Sequence, residues 1–209
     1  MPNQLRLTAL RDSYFSFAQS KSGYSGVATF CRKTTSVPFE SFSSLGSFIN
    51  SQSFDLEQLD TSWIDIAELD AEGRCLITDH GEFVLFNIYA PALTSEDSIA
   101  DRIEFKMSWF QVSVCDGTHV RYLSFQVLHA CVTSLIRNHK NVVLMGDFNC
   151  SPHLIDHCDP GAKEDFYSRP VRSVFLSMLA EREGPCYDIF RILHPSRFCL
   201  PEPARQSVL

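Results

Sequence analysis

The sequence has no long apolar run, no paired cysteines and no excess of positive charge, and each absence narrows the possibilities. No stretch approaches the ~20 consecutive apolar residues of a membrane-spanning helix, so we expect a chain that does not cross a membrane. The eight cysteines form no C-x-x-C pair and follow no secretory leader, which favours reduced thiols inside the cell. Neither a P-loop nor a G-x-G-x-x-G motif is present, which excludes the nucleotide sites built on those motifs.

The charge balance is acidic and gives no sign of a nucleic-acid partner. The 18 Lys and Arg are outnumbered by 25 Asp and Glu, for a formal net charge of −7. Proteins that bind phosphate backbones usually present a basic face, so the balance counts against this class. A metal-dependent enzyme acting on phosphate esters can nevertheless be acidic, because its carboxylates hold the cation that meets the substrate. Charge alone therefore leaves both classes open.

The composition is that of a globular protein with mixed strands and helices. Hydrophobic residues make up 44% of the 209 positions, and the 17 phenylalanines supply ample apolar surface for a core. Apolar patterning predicts a hairpin at 14–18 and 27–31, a second strand pair at 74–78 and 83–89 with the latter central, and a buried strand at 141–146. Helices are predicted at 95–110, 127–137 and 171–181, and a long loop with short helical pieces at 34–60. This mixed order predicts an α/β layered fold.

The strongest chemical signal is the end of the apolar strand at 141–146, where Asp147 and Asn149 follow a glycine. A period of two puts both side chains on the same side of the strand end, within reach of one phosphate or one metal-bound water. A carboxylate can deprotonate a water or hold Mg²⁺, and a carboxamide can donate a hydrogen bond to charge developing at phosphorus. The alternative is a strand followed by an Asx turn with no chemical role.

A second signal is Tyr89, which ends the strand at 83–89 shortly before Pro91. A phenol at a strand end can donate a hydrogen bond to a phosphate oxygen, although a tyrosine in this position is more often structural. The segment 22–26 at the predicted hairpin turn offers Gly23, Tyr24 and backbone N–H groups for close approach to a nucleic-acid backbone. Its composition is equally that of a simple turn.

A zinc site can be imagined downstream of Asn149. His153 and His157 are four residues apart and flanked by Cys150 and Cys158. The spacing matches no common zinc pattern, and Pro152 disfavours the helix that would align the two histidines. We therefore favour the Asp147 region as the reactive one.

Together these segments resemble the exonuclease III branch of the endonuclease/exonuclease/phosphatase family. The match is carried, in the family's order, by residues 12–17, 22–30, 72–74, 87–91, 102–106, 146–149, 155–159 and 188–195. The run Tyr-Ser-Gly-Val-Ala-Thr-Phe at 24–30 is especially characteristic. The resemblance implies a four-layered α/β sandwich with two central sheets, and here a partial one.

The resemblance also implies roles for the candidate residues. Tyr89 would contact the substrate phosphate, Asp147 would activate water beside the metal, and Asn149 would serve the transition state and the metal site. Gly23 and Tyr24 would contact DNA. The implied reaction is Mg²⁺- or Mn²⁺-dependent hydrolysis of DNA 5′ to abasic sites, with 3′-5′ exonuclease and 3′-phosphodiesterase activity. The implied substrates are DNA with abasic sites or blocked 3′ ends, and we expect a monomeric, nuclear DNA-repair enzyme.

The sequence departs from the family pattern at both ends. The family's early strand with a Mg²⁺-binding glutamate has no counterpart here, and its terminal Ser-Asp-His has none after Pro195. We therefore expect an incomplete domain over 1–195, truncated at both ends, with an insertion at 112–124 and an unrelated tail at 196–209. Missing strands would expose sheet edges and apolar faces, and missing ligands would weaken metal binding.

These departures keep a second class of function open. The first hypothesis is a DNA-repair phosphodiesterase whose activity is impaired in this chain. The alternative is a catalytically dead fragment that at most binds DNA or a protein. Hydrolysis of a lipid phosphate, as in sibling families, is a weaker third possibility, because segments 23–26 and 72–74 match the DNA-repair branch.

Overall fold

The structure is a computed structural model that describes residues 11–19, 22–52, 66–92, 127–157 and 160–197. The chain divides into two compact units, residues 1–149 and 150–209. The predicted helix at 95–110, the predicted insertion at 112–124 and most of the predicted tail lie outside the described residues. No helix within the described ranges is long and apolar enough to span a membrane.

The first unit begins with the predicted hairpin. Strand β1 (Arg11–Ser16) pairs antiparallel with β2 (Val27–Arg32), and Tyr14 lies opposite Thr29. The prediction was correct in kind, although β1 begins three residues earlier than expected. The connection contains Gly23 and Ser25 with φ of 71° and 43°, which are left-handed values typical of tight turns.

A four-stranded mixed sheet forms the centre of this unit. Its strands are β3 (Glu40–Phe42), β4 (Cys75–Asp79), β5 (Phe83–Tyr89) and β6 (Asn141–Asp147), paired in that order. Strand β4 pairs antiparallel with both β3 and β5, whereas β5 and β6 are parallel. Strand β5 is central, as predicted, but β3 falls where only loop and helix were expected. Three residues are too few to show an alternating pattern, so this strand depends on the β4 ladder beside it.

Helices cover one face of this sheet and the hairpin covers the other. Helices α1 (Leu45–Ser51) and α2 (Ile66–Ala71) precede β4, and α3 (Val127–Arg137) matches its predicted bounds. Phe48 of α1 packs edge-on against Phe86 of β5, with ring centroids 5.6 Å apart. On the opposite face, Asn87 Nδ2 donates to the Ala28 carbonyl and to Thr29 Oγ1 of β2, at 3.0 and 3.1 Å. The described residues thus build three layers of an α/β sandwich.

Strand β6 differs from its prediction as a buried strand. Val143 and Met145 are 43% and 47% exposed, and the strand alternates between exposed and half-buried positions. The reason is that β6 pairs with β5 on one side and with no other strand among the described residues. Its apolar side chains are therefore left exposed at this edge of the described sheet.

The second unit consists of short helices held by buried arginines. They are the 3₁₀ turns Leu154–Asp156 and Ala180–Arg182, and helices α4 (Lys163–Ser168), α5 (Pro170–Ser177) and α6 (Ile189–Leu193). The helix predicted at 171–181 ends at Ser177, because Leu179 turns to extended backbone and bridges to Cys186. Arg172 Nε donates to the Ser151 carbonyl at 2.8 Å, and its guanidinium lies 3.5 Å over the Phe166 ring.

Candidate active site at the ends of two parallel strands

The candidate catalytic residues lie where β5 and β6 end side by side. The parallel register pairs Tyr89 with Asp147, the last residue of each strand. Paired positions on neighbouring strands project to the same face of a sheet, so the phenol and the carboxylate belong to one surface. The carboxyl ends of parallel strands are also where open α/β sheets form their ligand sites.

The chain turns directly after Asp147 instead of continuing as a strand. Asn149 has a left-handed φ of 47°, and its N–H donates to Asp147 Oδ1 at 2.8 Å. This is an Asx turn. The prediction that a strand period of two would align Asp147 with Asn149 is therefore wrong, because the strand stops at Asp147. The Asx turn, which the sequence offered as the alternative, is what keeps the two residues together.

Two further hydrogen bonds fasten this turn to the end of β5. Ala90 N–H donates to the Asp147 carbonyl, and Asn149 Nδ2 donates to the Ala90 carbonyl, both at 2.8 Å. The second bond fixes the orientation of the Asn149 carboxamide. The structure thus brings Tyr89, Asp147 and Asn149 to one place, as expected, while their chemical roles stay predictions.

Gly146 makes this close strand pairing possible. Its φ is 125°, a value that L-residues rarely adopt. A Cβ at this position would stand 1.9 Å from the Ile88 carbonyl oxygen, so no larger residue fits without moving a strand. The glycine before Asp147 is therefore a structural requirement of the site.

A buried arginine that was not predicted as a site residue lies beside Tyr89. Arg74 is 2% exposed, and its Nη1 donates to the Tyr89 carbonyl at 3.0 Å. Its Nη2 donates to the Tyr24 hydroxyl at 3.1 Å, and its Nε pairs with Glu72 Oε2 at 2.5 Å. The guanidinium lies 4.8 Å from the Tyr89 ring centroid and 5.5 Å from that of Tyr24. Tyr24, a predicted DNA contact, is thereby linked to Tyr89, whereas the neighbouring Gly23 is exposed on the loop.

Sequence reasoning used Glu72 and Arg74 only as part of a family signature. The sequence signal that could have identified Arg74 is the ionisable pair Glu72 and Arg74 directly before the apolar strand β4. Such a pair at a strand entrance is either solvated or buried with partners, and only the second case matters for a site. The partners lie 15 and 50 residues away in sequence, so spacing could not reveal them.

The described residues do not by themselves form a magnesium site. Asp147 supplies one exposed carboxylate, one oxygen of which already accepts the Asn149 N–H, and Asn149 supplies one carboxamide. Within the described ranges, no three His, Cys, Asp or Glu side chains lie close enough to share an ion. Mg²⁺ takes six oxygen ligands, of which a protein commonly supplies one or two carboxylates while water and substrate phosphate supply the rest. The predicted ligands Asp147 and Asn149 therefore match only part of a coordination shell.

The residues of the imagined zinc site have other surroundings. His153 Nε2 lies 3.5 Å from Glu181 Oε1. The His157 ring packs edge-on against Phe166 at 5.7 Å between centroids. Cys158 lies outside the described residues. These contacts account for both histidines without a metal.

Burial shifts the pKa of several thiols, among which Cys75 and Cys131 are buried and Cys186 is half-buried. Burial raises the pKa of Cys131 to about 12, and burial together with Asp70 raises the pKa of Cys75 well above its ordinary value. Burial likewise raises the pKa of Cys186 to about 11. Since the thiolate is the nucleophilic form, these three side chains are inert at neutral pH.

Comparisons with known proteins converge on one group of enzymes. No protein-family model matches the chain. DNA-(apurinic or apyrimidinic site) endonuclease 2 of Mus musculus is 31% identical over 212 residues, which is 89% of this chain and 36% of that protein. The Xenopus laevis protein of the same name is 27% identical over 238 residues, 94% of this chain and 41% of its own length. The crystal structure of the Xenopus laevis APE2 catalytic domain superposes with a TM-score of 0.71 and 28% identity, over 90% of this chain and 57% of that one.

The layered sheets and the strand-end site define an α/β sandwich of the endonuclease/exonuclease/phosphatase type. The chain resembles the exonuclease III branch of that family and is similar to part of apurinic/apyrimidinic endonuclease 2. It spans 36 to 41% of the length of these two curated relatives.

Proposed function

We propose that this protein is a DNA-repair phosphodiesterase that hydrolyses DNA 5′ to abasic sites and processes blocked 3′ ends, in a reaction that requires Mg²⁺ or Mn²⁺. The observation that carries the proposal is the parallel pairing of Tyr89 with Asp147, with Asn149 tied to the adjoining Ala90 carbonyl. This pairing supports a site in which an acceptor for a proton and donors for a phosphate share one strand end. The names of the relatives supply the substrate class.

Each of the three side chains suits one part of phosphodiester hydrolysis. The exposed Asp147 carboxylate would accept the proton of the water that attacks phosphorus. The Tyr89 phenol would donate a hydrogen bond to a non-bridging phosphate oxygen, where negative charge grows in the transition state. The Asn149 carboxamide, oriented by Ala90, would support the same charge. The leaving oxygen would take its proton from solvent.

The hairpin loop would receive the DNA backbone near this strand end. Gly23 is exposed and no heavy atom lies within 4 Å of the place where its Cβ would stand, so a phosphate can approach the main chain closely. Tyr24 lies beside it and is linked through Arg74 to Tyr89. This continuity supports a DNA strand that runs from the loop to the strand end.

A specific observation also favours the second candidate, a binding module without catalysis. At the strand ends the described residues offer one carboxylate and one carboxamide, which is the low end of what proteins supply to Mg²⁺. A chain that keeps the DNA-facing loop but lacks ligands would bind without cutting. The two functions differ in a single measurable property, which is cleavage.

The test is incubation of the full chain with a fluorescent duplex that carries one abasic-site analogue, in Mg²⁺, Mn²⁺ or EDTA. We expect a nick 5′ to the lesion with either metal and none in EDTA. Asp147→Asn should slow the reaction by about 10²-fold or more, the range found when a general base is removed. Asp165→Asn changes a carboxylate in the first turn of α4 and serves as the matched control, with unchanged rate.

Three results would count against the proposal. Absence of cleavage with retained DNA binding would select the binding module. Cleavage that persists in Asp147→Asn would assign the nicking to another group or a contaminant. Release of phosphate from a phosphoinositide in place of DNA would select the lipid-phosphate activity.

We also propose that the protein works as a monomer in the nucleus, the compartment that holds its DNA substrate. Light scattering of the purified chain and imaging of the tagged chain in cells test the two statements separately. A dimer mass contradicts the first, and exclusion of the tagged chain from the nucleus contradicts the second.

A further inference from the structure

The guanidinium of Arg74 joins the two tyrosines that are predicted to meet the substrate. We propose that Arg74 is a positioning residue that fixes Tyr24 and Tyr89 relative to each other, so that both phenols face one DNA backbone. This inference rests on the DNA binding in the proposed function, not on its cleavage, and extends it to a residue that would touch neither metal nor DNA. The ligand that the two tyrosines would contact is the polyanionic phosphate backbone of DNA.

The guanidinium of Arg74 contacts three different partners through its three nitrogens. Nε pairs with Glu72 Oε2 at 2.5 Å, Nη1 donates to the Tyr89 carbonyl at 3.0 Å, and Nη2 donates to the Tyr24 hydroxyl at 3.1 Å. The three nitrogens point in fixed directions within one plane, so satisfying all three sets the positions of three partners together. A flexible ammonium cannot do this, because it is a point charge on a mobile stem.

The main chain strengthens the link between Arg74 and Tyr89. Tyr89 N–H donates to the Arg74 carbonyl at 2.9 Å, while the Tyr89 carbonyl accepts from the Arg74 side chain. The Tyr89 ring also lies under the guanidinium, 4.8 Å from its carbon. A cation over an aromatic face is attracted to it, more strongly where water is excluded. Backbone and ring of Tyr89 are thus both held by the same residue.

The loop that carries Tyr24 is held at two points by the segment around Arg74. The Ser25 hydroxyl donates to the Glu72 carbonyl, and the Tyr24 hydroxyl accepts from Arg74. Gly73, which lies between Glu72 and Arg74 in the sequence, closely approaches the main chain of Phe17, and a Cβ at Gly73 would come within 2.2 Å of it. This close approach places the segment against the end of β1, next to the loop that follows it.

A purely structural arginine provides the contrast. Arg172 is 5% exposed, bonds the carbonyls of Ser151 and Phe166, and stacks on the Phe166 ring. None of these partners is a predicted substrate contact. Arg74 is equally buried, yet one of its bonds ends on the hydroxyl of Tyr24. A role in stability alone would give both arginines the same behaviour.

The experiment is a double-mutant cycle on DNA affinity, measured by fluorescence anisotropy with a labelled abasic-site duplex and no divalent metal. Arg74→Lys keeps the charge and removes the fork, and Tyr24→Phe removes the hydroxyl that accepts from it. Each single change should weaken binding about tenfold, and the double variant should be within about twofold of the weaker single, as for residues acting as one unit. Glu72→Gln loosens Arg74 without replacing it and gives a second cycle if Arg74→Lys does not fold. Arg172→Lys is the control and should leave the Kd unchanged.

The outcomes separate this inference from the proposed function. If the wild type cuts DNA but the two effects multiply, or Arg74→Lys leaves the Kd unchanged, Arg74 is not a positioning residue and the proposed function stands. If the wild type binds DNA with the expected coupling but never cuts it, the proposed function fails and the inference holds. If no binding is detected, both fail.

Discussion

Replacing Gly146 by alanine should separate the parallel strands that build the candidate site. The glycine has a φ of 125° and lies one residue before Asp147. A Cβ there would stand 1.9 Å from the Ile88 carbonyl oxygen, whereas real Cβ contacts essentially never fall below 3.0 Å. The β5–β6 pair must therefore open locally by roughly 1 Å or the chain must leave its φ.

The cost follows from two contributions. A side chain held in this backbone region costs about 1–3 kcal/mol. Opening the strands by about 1 Å stretches the 2.8 Å bond from Ala90 N–H to the Asp147 carbonyl past hydrogen-bonding distance, which loses about 1–2 kcal/mol. We expect Gly146→Ala to lower the free energy of unfolding by about 2–5 kcal/mol.

Urea unfolding followed by far-UV circular dichroism measures this loss. The matched control is Gly23→Ala in the same unit, where φ is 71° and no heavy atom lies within 4 Å of the new Cβ. That variant meets only the left-handed backbone penalty of about 1–2 kcal/mol. A Gly146→Ala protein no less stable than the Gly23→Ala protein would falsify the steric reasoning.

Three further predictions concern other parts of the molecule. Tyr89→Phe should reduce DNA cleavage about tenfold with no loss of stability, because it removes one hydroxyl and keeps the ring over Arg74; equal cleavage by both proteins would deny the phenol a role. Asp156→Ala should destabilise the second unit by about 3 kcal/mol, because it leaves the buried Arg191 without its carboxylate partner. The control Glu181→Ala changes a side chain that is 57% exposed and should cost under about 1 kcal/mol, and hydrogen exchange of peptides in 150–197 measures both losses. Burial raises the pKa of Cys131 in the folded protein to about 12, above the ordinary 9.0, so above pH 9 the folded state keeps a proton that the unfolded state loses. The free energy of unfolding should therefore fall as the pH rises above 9, and Cys131→Ala should reduce that slope by up to about 1.4 kcal/mol per pH unit. An unchanged slope in urea titrations at about pH 8.5 to 10.5 would contradict this prediction.

The sequence predicted those elements whose stability is encoded in their own pattern. Helix α3 and strands β4 and β5 are strongly apolar segments bounded by polar or turn residues, and each formed close to its expected bounds. Strand β3 has only three residues and no period, so its pairing with β4 could not be read locally. The burial of β6 was overestimated, because a continuous apolar run reports the character of a strand but not whether a neighbour covers it.

In the candidate site, too, some residues could be predicted from local sequence pattern and others could not. Asp147 and Tyr89 were predicted because strand ends concentrate chemistry, and the parallel register pairs them. The sequence predicted that an extended strand would align Asp147 with Asn149, whereas an Asx turn brings them together. The three residues 147–149 are compatible with either conformation, so the sequence alone could not distinguish them. Arg74 was missed as a site residue because its partner Tyr24 is 50 residues away. Local pattern thus finds side chains that end an element, and tertiary contacts decide which of them act together.

Tyr89 is the residue on which both halves of this arrangement depend. On one side its N–H and carbonyl are both bonded to Arg74, and on the other its strand position pairs with Asp147. The adjoining Ala90 continues the second connection, giving its N–H to Asp147 and its carbonyl to Asn149. Because these bonds involve the main chain at 89 and 90, the positions of the carboxylate and the arginine are set by the backbone before any substrate or ion is bound. A site held in this way needs little reorganisation to act, so a misplaced Asp147 would not explain a failure of the chain to cut DNA.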